Sequence, residues 1–158
     1  MSITLDQAEI ARVLEGAWAI GASNILYWVD GTRRDTQLTF TVASVDPLVF
    51  LEEQAFTASD GKGRRIALTN RYIKGEFISK GRRILATMSR WSIGGMGADG
   101  TILVIRMTHA QGGQDGLLVI VRKDARDGEL RATIAKHSER FGLGPEDFAS
   151  LSWLPESG

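Results

Sequence analysis

The chain has no cysteine, two histidines, three prolines and no net charge. Without cysteine there are no disulfides, no thiolate metal sites and no cysteine nucleophile. His109 and His137 stand at no HxH or HExxH spacing, so neither a metal nor a cofactor is expected. Nineteen cations balance nineteen anions. A general nucleic-acid binder needs excess cation to displace counterions, so nucleic acid is not an expected partner. No apolar run approaches the roughly 18–20 residues of a membrane span, which excludes a spanning helix. The first ten residues carry Asp6 and Glu9 but no cation, unlike a secretory leader, and the expected location is cytoplasmic. No G-x-S-x-G nucleophile elbow occurs.

What is present is 158 residues with 43% apolar content, the proportions of one ordinary globular domain spanning 1–158. Thr4-Leu5-Asp6-Gln7 has capping-box spacing, and Ile10, Val13 and Leu14 follow on one face. These predict an amphipathic helix over 5–15, stopped by Gly16. From there to Arg122 the pattern is that of strands, rich in Val, Ile, Thr, Phe, Tyr and Trp and broken by turn dipeptides. Strands are predicted at 17–29, 35–45, 48–57, 65–74, 76–79, 82–93, 101–109 and 117–122, with a bulge or sharp bend at Gly75. The connections are too short for crossover helices, so neighbouring strands run antiparallel. A meander of about eight strands leaves two exposed edges, and closing it into a barrel removes them.

The segment 117–121 is apolar on both faces and needs an outer cover. A helix over 128–141, capped by Asp127, would supply one; a ninth strand over 129–135 is the competing assignment. A last helical turn opens at Gly144-Pro145 and reaches Leu151, with Trp153 as an anchoring aromatic.

Gly95-Met96-Gly97-Ala98-Asp99-Gly100 matches the dinucleotide fingerprint GxGxxG, but a strand-like run follows it instead of a helix. It reads as a glycine-rich hairpin. Glu52 and Glu53 are adjacent and so point to opposite faces of a strand; one can lie inside the barrel. Charge is uneven: residues 1–60 hold three cations against nine anions, whereas 61–91 hold nine cations against Glu76 alone. Cations that keep strand edges and turns from sticking explain that block; an anion-facing surface is the alternative. Arg90 and Arg106 each interrupt an apolar alternation on adjacent strands. Inside a barrel they would need a partner, such as a ligand carboxylate.

Gly16-Ala17-Trp18, directly after the first helix and opening the first strand, resembles the Gly-x-Trp signature of lipocalin and calycin-like barrels. The longer glycine-rich opening of haem-binding nitrobindin-like barrels is absent. In the lipocalin pattern the Trp plugs the closed end and a late basic residue packs over it. The resemblance therefore implies a structural plug of Gly16, Trp18 and Arg122, and a pocket for a small molecule.

The expected function is binding of a small, partly apolar, in one variant anionic, ligand in the lumen. Trp28, Phe40, Tyr72 and Trp91, with Phe50 and Phe56, are the candidate lining, and Arg90 and Arg106 the candidate anchors. Two alternatives stay open. One is a small isomerase, cyclase or hydrolase using Glu52, Asn70, Tyr72 or His109 in the same cavity. The other is a homodimeric interaction module whose barrel is filled by its own side chains.

Overall fold

Asp6 opens the first helix of the computed structural model, which describes residues 5–81, 89–108, 115–125 and 128–155. Its carboxylate accepts from the Glu9 amide at 2.8 Å, satisfying one of the free donors at the start of α1 (Gln7–Leu14). Thr4, the expected cap, lies outside the described residues. The side-chain oxygen of Gln7 accepts from the Leu48 amide at 3.0 Å and ties the helix to a hairpin of the sheet.

The strands are β1 (Gly16–Ser23), β2 (Arg33–Val45), β3 (Leu48–Ala58), β4 (Gly63–Ile73), β5 (Glu76–Gly81), β6 (Ser89–Met96), β7 (Ile102–Thr108) and β8 (Gly116–Arg122). Each pairs antiparallel with its predecessor. β1 closes the ring by pairing with β2 through Gly16–Ala19 and with β8 through Trp18–Ser23. The result is a closed eight-stranded antiparallel barrel. Lys74 and Gly75, both at positive φ, form the tight turn between β4 and β5, so the bend expected at Gly75 is a hairpin. The GxGxxG segment is also a hairpin. Gly97 donates to Ile102 at 3.0 Å, and Asp99 accepts from the Thr101 amide and hydroxyl.

Two strand assignments change. The segment 17–29 is not one strand: β1 ends at Ser23 and a single helical turn, α2 (Leu26–Val29), follows. Ser23 causes the break, its hydroxyl donating to the Leu117 carbonyl at 2.6 Å while accepting from the Ile25 amide. The strand expected at 82–93 begins at Ser89 among the described residues and runs on to Met96, through glycines assigned to a loop. Residues 82–88, His109 and most of the following loop lie outside the described residues.

At 129–135 the chain is helical. α3 (Leu130–Lys136) is shorter than expected and is followed by a turn to Gly142; its expected cap, Asp127, is outside the described residues. α4 (Pro145–Ser150) and a two-residue strand, β9 (Ser152–Trp153), complete the chain, β9 pairing with β1 at Ala22 and Ser23. The doubly apolar β8 is explained by two cores. Leu118 and Ile120 face the lumen, whereas Leu117 and Val119 pack outside against Ile134, Phe141 and Leu151.

A candidate ligand site in the barrel

The closed end is built around Trp18. Its indole is fully buried, and Nε1 donates to the Leu14 carbonyl at 2.8 Å, fastening the last turn of α1. The Arg122 guanidinium lies 4.2 Å above the ring centroid and donates to the carbonyls of Glu15, at 2.6 Å, and Val13. These are carbonyls that a helix end leaves without intrahelical donors. Gly16 sits at φ 119°, and a Cβ there would overlap the guanidinium. The three residues therefore form one unit.

Further up, the inward faces of β2 to β6 supply an aromatic cluster. Phe77 and Trp91 stack with centroids 4.3 Å apart, Tyr72 meets Phe77 at 4.8 Å, and Phe40 lies 5.9 Å from Trp91. Across this apolar wall runs a buried polar chain. Tyr27 donates to the Gln54 carbonyl oxygen at 3.3 Å, and the Gln54 amide donates to Glu52 at 2.9 Å. The Asn70 amide donates to the other Glu52 oxygen at 3.0 Å. The Asn70 oxygen in turn accepts from Trp91 Nε1 at 3.0 Å and from the Ser79 hydroxyl. Strand parity explains this placement. Leu48, Phe50, Glu52 and Gln54 share the inner face of β3, and Glu53 turns outward to Arg65 at 3.2 Å.

Glu52 is buried, and desolvation raises its pKa despite the two amide donors, which act the other way. Among the described residues no cation stands within ion-pair distance of it. A carboxyl whose folded pKa is raised favours folding most at low pH and progressively less as pH climbs through the folded value. Glu52→Gln should therefore raise the melting temperature at pH 8, with the gain shrinking toward pH 4. Melts across that range check the sign; a gain independent of pH would mean that ionisation of Glu52 is not the cause.

No family model matches the chain, and no curated protein does. Solved structures do match. Lobster apocrustacyanin A1 aligns over 100% of this chain and 89% of its own at 9% identity, with a TM-score of 0.65. The amine-binding protein of Rhodnius prolixus, in complex with tryptamine, aligns over 97% of this chain and 84% of its own at 12% identity and TM-score 0.64. The siderocalin Ex-FABP is 14% identical over 92% of both chains, with a TM-score of 0.55. The chain has the lipocalin fold. It is the fold that Gly16-Ala17-Trp18 and the strand pattern implied.

Within this lipocalin barrel, Phe40, Tyr72 and Trp91 face the inner core, and Glu52 and Asn70 are bonded to one another inside it. Trp28 is buried too, but on α2 instead of a strand. Arg90 and Arg106 are corrections. Trp91 and Ile105 face the lumen, so their chain neighbours face away. Arg90 pairs with Glu76 at 3.4 Å on the outer surface. Arg106 donates to the Gly142 carbonyl at 2.6 Å and to Asp147 at 3.1 Å beneath the C-terminal segment. Asp147 is held below the usual carboxylate range, first by the Gly144 amide and then by Arg106. His109 lies outside the described residues, and His137 ends α3 outside the barrel. Gln54, Ser79 and Tyr27 were missed, although Gln54 sits two residues beyond Glu52 on the same parity. Among the described residues no group of three or more His, Asp or Glu could hold a metal ion, and no helix is long and apolar enough to cross a membrane.

A cavity lies where β1 and β2 part. Their last paired residues are Ala19 and Gln37; β2 then bulges, with Asp35 at φ 54°, and β1 pairs with β9. The opening holds about 400 Å³ between β1, β2, α2 and the segment after β9.

Proposed function

We propose that the protein binds a small, partly apolar molecule in its lumen and recognises it through a hydrogen-bond donor, such as an amine, that faces Glu52. The observation that carries this is the buried chain Tyr27–Gln54–Glu52–Asn70–Trp91, set in an otherwise aromatic and aliphatic interior. Among the described residues no cation pairs with this carboxyl, so it is costly to bury, and an amide on each oxygen orients it without neutralising it. A carboxylate has about four acceptor sites, so each oxygen retains a lone pair for a ligand. Tryptamine, the ligand of the Rhodnius prolixus protein, has this amphipathic chemistry. With Arg90 and Arg106 directed outward, the lumenal wall favours a donor head over an anionic one.

Calorimetric titration with 1-naphthylmethylamine tests the proposal. The amine should bind, and Glu52→Gln should weaken it roughly tenfold or more, the scale of one charge-assisted hydrogen bond. No binding at millimolar amine, or equal binding by both proteins, would overturn the reading.

A further inference from the structure

We propose that the cleft between β1 and β2 is a second binding site, one that takes the carboxylate of a small apolar acid. Among the described residues, two buried donors on its lining side chains have no acceptor: the indole Nε1 of Trp28 and the Nε of Arg33. Trp28 is 3% exposed, so its N–H has no recourse to bulk water. Buried polar groups in native folds are almost always hydrogen-bonded. Two orphans of the same sign, on residues that line one cavity, point to an acceptor that binds there.

The rest of the cleft specifies what kind of acceptor. Among the described residues its cations are Arg33 and Arg34 and its carboxylate is Asp35, a net positive lining. Among the described residues Arg33 has no carboxylate within ion-pair distance. Asp30, nearby, is already committed to the Thr32 amide and hydroxyl. Arg33 is also held in place. Its guanidinium lies 3.6 Å over the Tyr27 ring, and Nη1 donates to the Tyr27 carbonyl at 3.1 Å and to Thr32 at 3.0 Å. A stacked, tethered guanidinium loses little freedom on meeting a carboxylate, which its planar fork matches. Ile20, Val29, Leu154 and Pro155 make the other walls apolar. A bare inorganic anion would leave those walls unused; an aryl or alkyl acid would cover them.

The cleft meets the lumenal polar chain at Tyr27, and the test separates the two sites. The probe is 2-naphthoate, with 2-naphthalenemethanol as its uncharged counterpart. Wild type should bind the acid roughly tenfold more tightly than the alcohol, as expected for a charge-assisted contact. Arg33→Gln should abolish the preference, Arg33→Lys should restore only part of it, and Trp28→Phe should weaken the acid several-fold. In wild-type protein, the indole N–H resonance that Trp28→Phe removes should shift on adding the acid, a readout that does not depend on how well the Arg33 variants fold. Equal binding of acid and alcohol, a preference that survives Arg33→Gln, or a shift confined to the Trp91 indole would each overturn the proposal. The last would place the acid in the lumen.

Discussion

Trp18→Ala should lower stability by about 3–5 kcal/mol, the usual cost of truncating a buried tryptophan. For a chain of this size that is a drop of roughly 6–20 °C in melting temperature. Two losses add to the cavity: the Leu14 carbonyl loses its donor, and the Arg122 guanidinium loses the ring beneath it. Trp18→Phe separates the effects, because it keeps an aromatic surface and removes the indole N–H. It should cost about 1 kcal/mol for the hydrogen bond, plus whatever volume the smaller ring leaves empty. Combining Trp18→Ala with Arg122→Met in a double-mutant cycle should show a coupling of about 0.5–2 kcal/mol, since the pair is in contact. Additive losses would mean that Arg122 stabilises the closed end through the carbonyls of Val13 and Glu15 and gains nothing from the ring.

Gly16 and Trp18 of the plug were legible because they stand together in one short signature, whereas Arg122 was placed with them only by the resemblance. Gly16-Ala17-Trp18 follows a helix that stops where a positive φ is needed, and no distant information is required to see it. The barrel was legible for a similar reason: turn dipeptides at short intervals leave antiparallel neighbours as the remaining arrangement. The helical cover over β8 could be inferred from Leu117 to Val121, which has no polar face to offer water. Other features depend on tertiary contacts. The run through Ile25, Tyr27, Trp28 and Val29 looks like a strand, and it turns into α2 because Ser23 and Asn24 bond to Leu117, more than ninety residues away.

The inward face of each strand was the weakest inference. β7 is apolar on both sides, Leu103 and Ile105 toward the lumen and Ile102 and Val104 toward the C-terminal helices. Alternation therefore could not say which side Arg106 takes. In β6 the parity is set by Trp91 and Ile93, which face the lumen and leave Arg90 outside with Glu76. Among the described residues three members of the cationic block stand in separate pairs, Arg64 with Asp60, Arg65 with Glu53 and Arg90 with Glu76. What sequence does expose, once parity is fixed by the large aromatics, is a polar residue in register with them. Asn70 is such a residue, facing inward between Leu68 and Tyr72.

Asn70→Leu should be the most damaging change in the lumen that alters little volume, with a loss of about 2–5 kcal/mol. Asn70 donates to Glu52 and accepts from both Ser79 and Trp91. Leucine leaves one Glu52 oxygen with no donor among these side chains and the Ser79 hydroxyl with no acceptor, whereas Trp91 keeps its 2.8 Å bond to Ser79. The carboxylate carries most of the cost. The Asn70 hydrogen bond is one of two that hold down a pKa raised by burial, so removing it raises that pKa further. The loss should therefore grow as pH rises from 4 to 8 and Glu52 is asked to ionise with one donor fewer. At pH 4, with the carboxyl protonated, the smaller part due to Ser79 should remain. In a Glu52→Gln background the pH dependence should disappear and the total loss should shrink by more than 1 kcal/mol, the size of coupling found within one buried network. Denaturant titrations of the four proteins at the two pH values measure all of these terms. If Asn70→Leu costs the same at pH 4 and pH 8, the array is a packing device and Glu52 is no longer available as the charge that a ligand amine would meet.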